Sequence, residues 1–284
     1  MNKILITGAG GGLGAVLTKF LTGRYKVIAP DSSSLDVTDY ITVDQIIGQV
    51  KPDLVIHCAA IVNADQAQGN KLRTYQVNVA GTEAVAQACK KYGSEMMFFS
   101  SDYVFNGETN RPYEVTDLVD PINYYGITKI IGEQIVRDLV PHNYIVRVSW
   151  LFGPAGNTFL QKMLKKAGEE FVQVVDDQIG SPTYTPHLSK ALEALFLSQK
   201  WGTYQITNEG FCSWADYAEE IFRLAGSHTK VIRVDSSIYQ TLAKRPLNSC
   251  LSKEKIYAAG IGPLPHWKDA LRECFEKRVF EIEQ

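Results

Sequence analysis

Along the first half of the chain, short apolar runs alternate with longer stretches in which apolar residues recur every three or four positions. Lys3 to Thr7 reads as a strand, and Leu13, Val16, Leu17, Phe20 and Leu21 mark a helix behind it. The alternation continues with a strand over 25–29, a helix over 41–50 that stops at Lys51-Pro52, and a strand over 54–58. A long helix over 73–92 ends at Gly93. A strand over 96–100, a helix over 121–139 with Pro121 in its first turn, and a strand over 144–148 follow. These strands are apolar on both faces, the pattern of a parallel sheet covered by helices on both sides. The expected fold class is α/β, a doubly wound parallel sheet. Beyond residue 150 the pattern is less regular, with strands predicted over 171–175, 202–207 and 230–234 and helices over 186–198, 214–225 and 266–278.

Composition narrows the class of partner. The 284 residues are 45% hydrophobic and 21% charged, which is globular, and the net charge is −2. So balanced a chain lacks the electrostatic footprint of a nucleic-acid or membrane-surface binder. An anionic ligand would be held by a few placed groups and by backbone dipoles. The longest apolar run, Leu54 to Val62, falls short of a membrane span (about 18 residues) and contains His57. The opening residues do not read as a signal peptide. The cysteines Cys58, Cys89, Cys212, Cys250 and Cys274 are scattered, without a Cys-x-x-Cys or Cys/His cluster. Reduced thiols in a cytoplasmic protein are expected, with neither a disulfide framework nor a zinc site.

Chemistry first appears in the turn between the first strand and the first helix, Thr7-Gly8-Ala9-Gly10-Gly11-Gly12-Leu13-Gly14. Gly8 allows the tight turn, Gly11 lets backbone approach a pyrophosphate, and Gly14 lets helix and strand pack closely. The helix end then offers free N–H groups and partial positive charge to the phosphates. Position in the first βα unit is what raises this stretch above an ordinary flexible turn. It points to a Rossmann-type dinucleotide-binding domain over 1–150. The remainder, 151–284, is expected to be mainly a smaller C-terminal α/β substrate-binding domain, with the chain returning to the first sheet at least once. Asp31, after the second strand, could accept hydrogen bonds from the adenosine ribose and would repel a 2′-phosphate, favouring NAD. It could equally serve the turn at Ser32-Ser33-Ser34. Asp36 is a second candidate near the adenine and reads equally well as a cap.

Tyr125 and Lys129 stand at i and i+4 on a predicted helix and so share a face. Ser101 closes the fourth predicted strand. The three suit hydride transfer to or from a carbonyl: a phenol to move the proton, a serine hydroxyl to hold the oxygen, and an ammonium expected to lower the phenol's pKa. Tyr124 is a rival phenol, but Thr128 stands where its lysine would be.

At these residues the chain resembles the extended short-chain dehydrogenase/reductase superfamily, and within it the dTDP-4-dehydrorhamnose reductase family. The resemblance is carried by the glycine loop, by Tyr125-Gly126-Ile127-Thr128-Lys129, and by Ser100-Ser101-Asp102-Tyr103-Val104-Phe105-Asn106-Gly107. Arg147 to Gly153, Asp177 to Thr183, and Arg245-Pro246-Leu247-Asn248-Ser249 add to it, from residue 3 to about 275. The resemblance implies reduction of the 4-keto group of dTDP-4-dehydro-L-rhamnose by NADPH or NADH. It implies Tyr125 as proton donor, Lys129 on the nicotinamide ribose, and Ser101 on the keto oxygen. Asp102, Tyr103 and Trp150 would line the sugar pocket, and Arg245 would lie near the diphosphate. Gly11, Gly12 and Leu13 would make the pyrophosphate turn. Asp31, Asp36 and Val37 would contact the adenosine, and Ala60, Ile61 and Val62 the nicotinamide half. The partner implied is a nucleotide sugar, and the enzyme a monomer or homodimer.

The departures also inform. Ile61 and Val62 stand where the family often has Tyr and Thr, so backbone contacts are expected there in place of side-chain ones. Ser32 stands where an Arg is frequent, weakening a preference for NADPH. Some relatives bind Mg²⁺ at a dimer interface, and no motif carries that over. A sugar-nucleotide 4,6-dehydratase would place Asp-Glu after the active-site residue, whereas Asp102-Tyr103 follows Ser101. A reductase forming dTDP-6-deoxy-L-talose would use the same donors. A non-catalytic dinucleotide-binding subunit, like the regulatory subunit of methionine adenosyltransferase, would not need Ser101, Tyr125 and Lys129 together.

Overall fold

The computed structural model describes residues 2–277. In chain order it runs β1 (Lys3–Thr7), α1 (Gly12–Leu21), β2 (Lys26–Ile28), α2 (Tyr40–Val50), β3 (Leu54–His57), α3 (Ala64–Gly69) and α4 (Lys71–Tyr75). A single π turn (Gln76–Ala80) leads into α5 (Gly81–Tyr92), β4 (Glu95–Ser101), α6 (Tyr124–Leu139) and β5 (Asn143–Val148). Then come β6 (Leu151–Phe152), α7 (Phe159–Lys165), β7 (Phe171–Val175), β8 (Ile179–Gly180), β9 (Thr183–Tyr184), α8 (Thr185–Ser198) and β10 (Gly202–Gln205). The chain closes with β11 (Cys212–Ser213), α9 (Trp214–Leu224), β12 (Lys230–Val234), α10 (Glu254–Ala258) and α11 (Trp267–Glu276). Position 278, the last of the predicted C-terminal helix, lies outside the described residues.

Six strands form one parallel sheet in the order β2-β1-β3-β4-β5-β10, so the chain crosses from one side of β1 to the other between β2 and β3. A crevice for a ligand opens beyond the strand ends at such a reversal. The sheet is apolar on both faces because both are covered. Ile4, Ile6, Leu54 and Ile56 pack with Leu17 and Leu21 of α1 and Leu188, Leu192 and Leu195 of α8. Leu5, Val55, Met96 and Phe98 pack with Val43 and Ile47 of α2, Val85 and Cys89 of α5, and Val136 of α6. A separate core binds the C-terminal elements through Phe152, Leu160, Tyr184, Tyr217, Phe222, Trp267 and Leu271.

Local chemistry sets the helix ends. Asp39 caps α2 by accepting from the N–H groups of Ile41 and Thr42, and Lys51 ends it in a left-handed conformation before Pro52. Gly93 ends α5 at φ +74°. Two expectations are corrected. Helix α6 starts at Tyr124, not Pro121: Asn123 is extended and its side chain accepts from the Gly126 N–H, which fixes the first turn three residues later. The stretch predicted as one helix over 73–92 begins at Lys71 and contains the π turn, which a 3.6-residue pattern does not show. Among the described residues no helix is long and apolar enough to cross a membrane, and the five cysteines are free.

Candidate active site

The β1–α1 loop is shaped by backbone crowding. Gly8 has φ +65°, and a Cβ there would stand 2.5 Å from the Ala59 nitrogen at the end of β3. A Cβ on Gly14 would stand 2.3 Å from the Gly8 carbonyl oxygen. α1 therefore begins hard against the loop, and no side chain caps it at Gly11. The first N–H groups of α1 face the cavity with no helical acceptor, a cradle that fits a pyrophosphate. Gly14→Ala is expected to weaken cofactor binding about 10-fold or more. Fluorescence titration with NADPH checks it, and an unchanged Kd would contradict this role of the loop.

Opposite the loop, β4 ends in Ser101, which passes directly into a 3-10 turn over Asp102–Val104. The Ser101 hydroxyl donates to Asp102 Oδ1 at 2.8 Å and accepts the Tyr103 N–H at 3.1 Å. On α6, Tyr125 and Lys129 are both buried and share the face turned to this strand end. The Tyr103 ring stands edge-on to Tyr125, centroids 6.1 Å apart. The Lys129 ammonium lies 5.7 Å from the Tyr125 ring centroid and 5.1 Å from that of Phe98. It has no hydrogen-bond partner among the described residues, so a buried cation is left for a ligand's hydroxyls.

Electrostatics here are set by burial. Burial lowers the Lys129 pKa to about 8, with Cys58 and Glu133 pulling the other way. Burial raises Asp102 to about 6, against the hydrogen bond from Ser101, and its buried Oδ2 has no hydrogen-bond partner among the described residues. Tyr125 is pushed above the ordinary phenol range by burial and by the Asp102 charge, against the Ser101 hydroxyl. The sequence predicts that Lys129 lowers that pKa. Burial and the Asp102 charge raise it instead, which favours the protonated phenol that a proton donor needs.

Ser101, Asp102, Tyr103, Tyr125, Lys129, Trp150 and Arg245 line one cavity of about 490 Å³ with Gly8, Gly11, Gly12, Leu13, Gly14, Ala60 and Val62. Asp31, Asp36, Val37 and Ile61 do not line it. Asp31 lies exposed after β2 and accepts from the Ser33 and Ser34 N–H groups and the Ser33 hydroxyl. Asp36 accepts from the Thr38 N–H and hydroxyl, and Val37 is buried in the core against α5. The Ile61 side chain packs near Tyr125, while its backbone N–H and carbonyl are both taken by the Asn78 side chain. Arg245 is held by Asp65 at 2.6 and 2.8 Å.

Several residues of the site were not read from the sequence. Asn78 sits in the π turn and also donates to Thr128 of α6, so it ties the segment after β3 to that helix. A polar residue inside Val77-Asn78-Val79 was the available signal. Trp214 stacks on Trp150 at 3.5 Å and 9°, and Trp150 has a φ of +45°, rare for a bulky residue. Ala155, Gly156, Asn157 and Thr158 close the cavity from the loop before α7. Among the described residues no three His, Cys, Asp or Glu side chains are grouped to hold a metal ion. A second, larger cavity of about 1180 Å³ adjoins the first, and Val62, Tyr103, Phe159, Trp214 and Arg245 line both.

The chain matches the RmlD substrate binding domain family over residues 1–280. It is 38% identical over 280 residues to the spore coat polysaccharide biosynthesis protein SpsK of Bacillus subtilis (strain 168), with 98% of each chain covered. It is 40% identical over 289 residues to a dTDP-4-dehydrorhamnose reductase of Aggregatibacter actinomycetemcomitans, covering 96% of this chain and 98% of the relative. Its structure resembles that of the dTDP-4-dehydrorhamnose reductase of Bacillus anthracis str. Ames in complex with NADP, with a TM-score of 0.95 and 35% identity over 98% of this chain and 100% of that one. A phenol, an ammonium and a glycine-lined helix end thus converge in a chain matched over nearly its whole length, which belongs to the RmlD substrate binding domain family.

Proposed function

We propose that the protein is an oxidoreductase that converts dTDP-4-dehydro-L-rhamnose to dTDP-L-rhamnose with NADPH or NADH as reductant. The observation that carries this reading is the convergence of Ser101, Tyr125 and Lys129 on one cavity with the glycine loop. The bound nicotinamide supplies a hydride to the sugar C4. Ser101 holds the keto oxygen, and Tyr125 delivers its proton to that oxygen as negative charge develops there. Lys129 binds the nicotinamide ribose and keeps positive charge beside the phenol. Gly8, Gly11, Gly12, Leu13 and Gly14 hold the pyrophosphate. The Ala60–Val62 segment, fixed by Asn78, faces the nicotinamide half.

The C-terminal elements form the substrate side. The stacked Trp150 and Trp214 make a flat apolar wall for the sugar, and Asp102 Oδ2 awaits a donor. The nucleoside diphosphate extends into the larger cavity, where Lys162, Lys166, Lys244 and Arg245 supply positive charge. The test is incubation of the protein with dTDP-4-dehydro-L-rhamnose and reduced cofactor, with the product identified by NMR. The L-rhamno product is expected. An L-talo product would keep the donors and reverse the sugar's orientation, and no product would contradict the reading.

We further propose Asp31 and Asp36 on the adenosine side. The Asp31 carboxylate, held below its usual range by its own serine turn, stays ionised at neutral pH. NADH is therefore expected to serve at least comparably to NADPH. Comparing kcat/KM for the two checks this, and a preference for NADPH above about 100-fold (about 2.7 kcal/mol) would rule out Asp31 as the ribose ligand.

A further inference from the structure

Between β12 and α10 the chain crosses the mouth of the site as a strap, and a residue with no part in the chemistry above fastens it. The far end is fixed where the Ser236 N–H and hydroxyl donate to the Asp177 carboxylate. The near end is stitched more closely. Ala243 is buried against Ala64, Ala67 and Tyr125, and its N–H donates to Asp65 Oδ1 at 2.9 Å. Arg245 gives N–H groups to both oxygens of the same carboxylate, at 2.8 and 2.6 Å. Asn123, whose Oδ1 caps α6, also donates through Nδ2 to the Lys244 carbonyl at 2.9 Å. Between the two anchors Ile238, Tyr239 and Leu242 are 65%, 50% and 63% exposed.

The strap is thus a wall of the catalytic pocket fastened to α3 and to the start of the helix that carries Tyr125 and Lys129. Asp65 is the hub of that fastening, since one carboxylate serves both Ala243 and Arg245. A bidentate carboxylate–guanidinium pair fixes direction as well as distance. Arg245 in turn faces Tyr103, whose ring stands against Tyr125, and it lies where the two cavities meet.

We propose that Asp65 is a positioning residue for the nucleotide sugar: through Arg245 and Ala243 it holds the strap over 241–245 closed against the Tyr103–Tyr125 pair, so that the substrate meets a finished wall. This rests on the nucleotide-sugar reading above. Asp65 touches neither the reacting atoms nor the glycine loop. Its loss is felt in sugar binding and leaves cofactor affinity alone.

The experiment compares the full chain with Asp65→Asn, Arg245→Gln and the double variant. Steady-state kinetics are run with dTDP-4-dehydro-L-rhamnose, NADPH is titrated, and hydrogen exchange is followed over 241–245. The Asp65 side chain is 39% exposed and asparagine has the same shape, so the change tests the charge rather than the fold. For Asp65→Asn, KM for the sugar nucleotide is expected to rise about 10-fold or more, with kcat and the NADPH Kd within about 3-fold and the 241–245 amides exchanging faster. The double variant is expected to be no worse than Arg245→Gln, since an asparagine Oδ1 still accepts the Ala243 N–H and what the substitution removes acts through that arginine. Unchanged KM and exchange in Asp65→Asn, an equal loss of NADPH affinity, or additive single effects would each overturn the proposal. If the wild-type protein did not reduce this sugar at all, the proposed function would fail on its own, and the exchange contrast would still decide whether Asp65 fastens the strap.

Discussion

Replacing Tyr125 with Phe is expected to lower kcat about 10³-fold while leaving the NADPH Kd within about 3-fold, read by steady-state turnover and cofactor titration. The Tyr125 phenol lines the cavity together with Ser101 and Lys129, the arrangement on which the proposed proton transfer rests. Tyr103 is close, but its hydroxyl faces Arg245. Tyr124 does not line the cavity; Lys71 lies over its ring instead, 5.5 Å from the centroid. Phenylalanine keeps the ring that packs with Ala64, Ala67 and Ala243, so the pocket walls survive and only the hydroxyl is lost. A rate within 10-fold of wild type would remove Tyr125 as the proton donor.

The largest expected effect on stability lies about two turns further along the same helix. Glu133 and Arg147 are almost fully buried and joined by two hydrogen bonds, at 2.8 and 2.9 Å, and Ser100 donates to the same carboxylate at 2.5 Å. The pair clamps α6 to β4 and β5 beneath Ser101 and Lys129. Glu133→Ala leaves the Arg147 guanidinium buried without its partner, which is expected to cost about 3–5 kcal/mol in urea unfolding. Burial works to raise the Glu133 pKa, but Arg147 and the Ser100 hydroxyl overcome it, and the folded value lies below the ordinary 4.5. A depressed folded pKa adds stability that is fully present above the unfolded value and is lost as pH falls through the folded one. The wild type is therefore expected to lose this contribution below about pH 4.5, whereas Glu133→Gln lacks that acid-side decline at this site. Equal stability of wild type and Glu133→Ala would show that the pair is not the clamp described.

Most of the sheet could be read because its strands are short, apolar and separated by helices with ordinary period and strong stops such as Lys51-Pro52 and Gly93. The candidate site was equally legible, since Tyr125 and Lys129 are local on one helix and the glycine loop is local to one turn. What stayed hidden is either very short or very distant. The π turn adds one residue to a single turn, too little to shift an apolar pattern, yet it is what aims Asn78 at Ile61. α3 has six residues, fewer than two turns, and its Asp65 finds Arg245 from far along the chain. The Trp150–Trp214 stack likewise joins separate elements, and no local spacing announces it. Pro121 was a misleading signal because the Asn123 side chain, not the fixed proline φ, nucleates α6.

The most direct measurement is a turnover of dTDP-4-dehydro-L-rhamnose with reduced cofactor deuterated at the transferring position of the nicotinamide. NMR of the product then locates the label. The expected result is deuterium at the sugar C4 of dTDP-L-rhamnose in wild type and almost none formed in the same time by Tyr125→Phe. Tight binding of cofactor and sugar nucleotide with no deuterium reaching C4 would contradict the assignment of Ser101, Tyr125 and Lys129 as a carbonyl-reducing site.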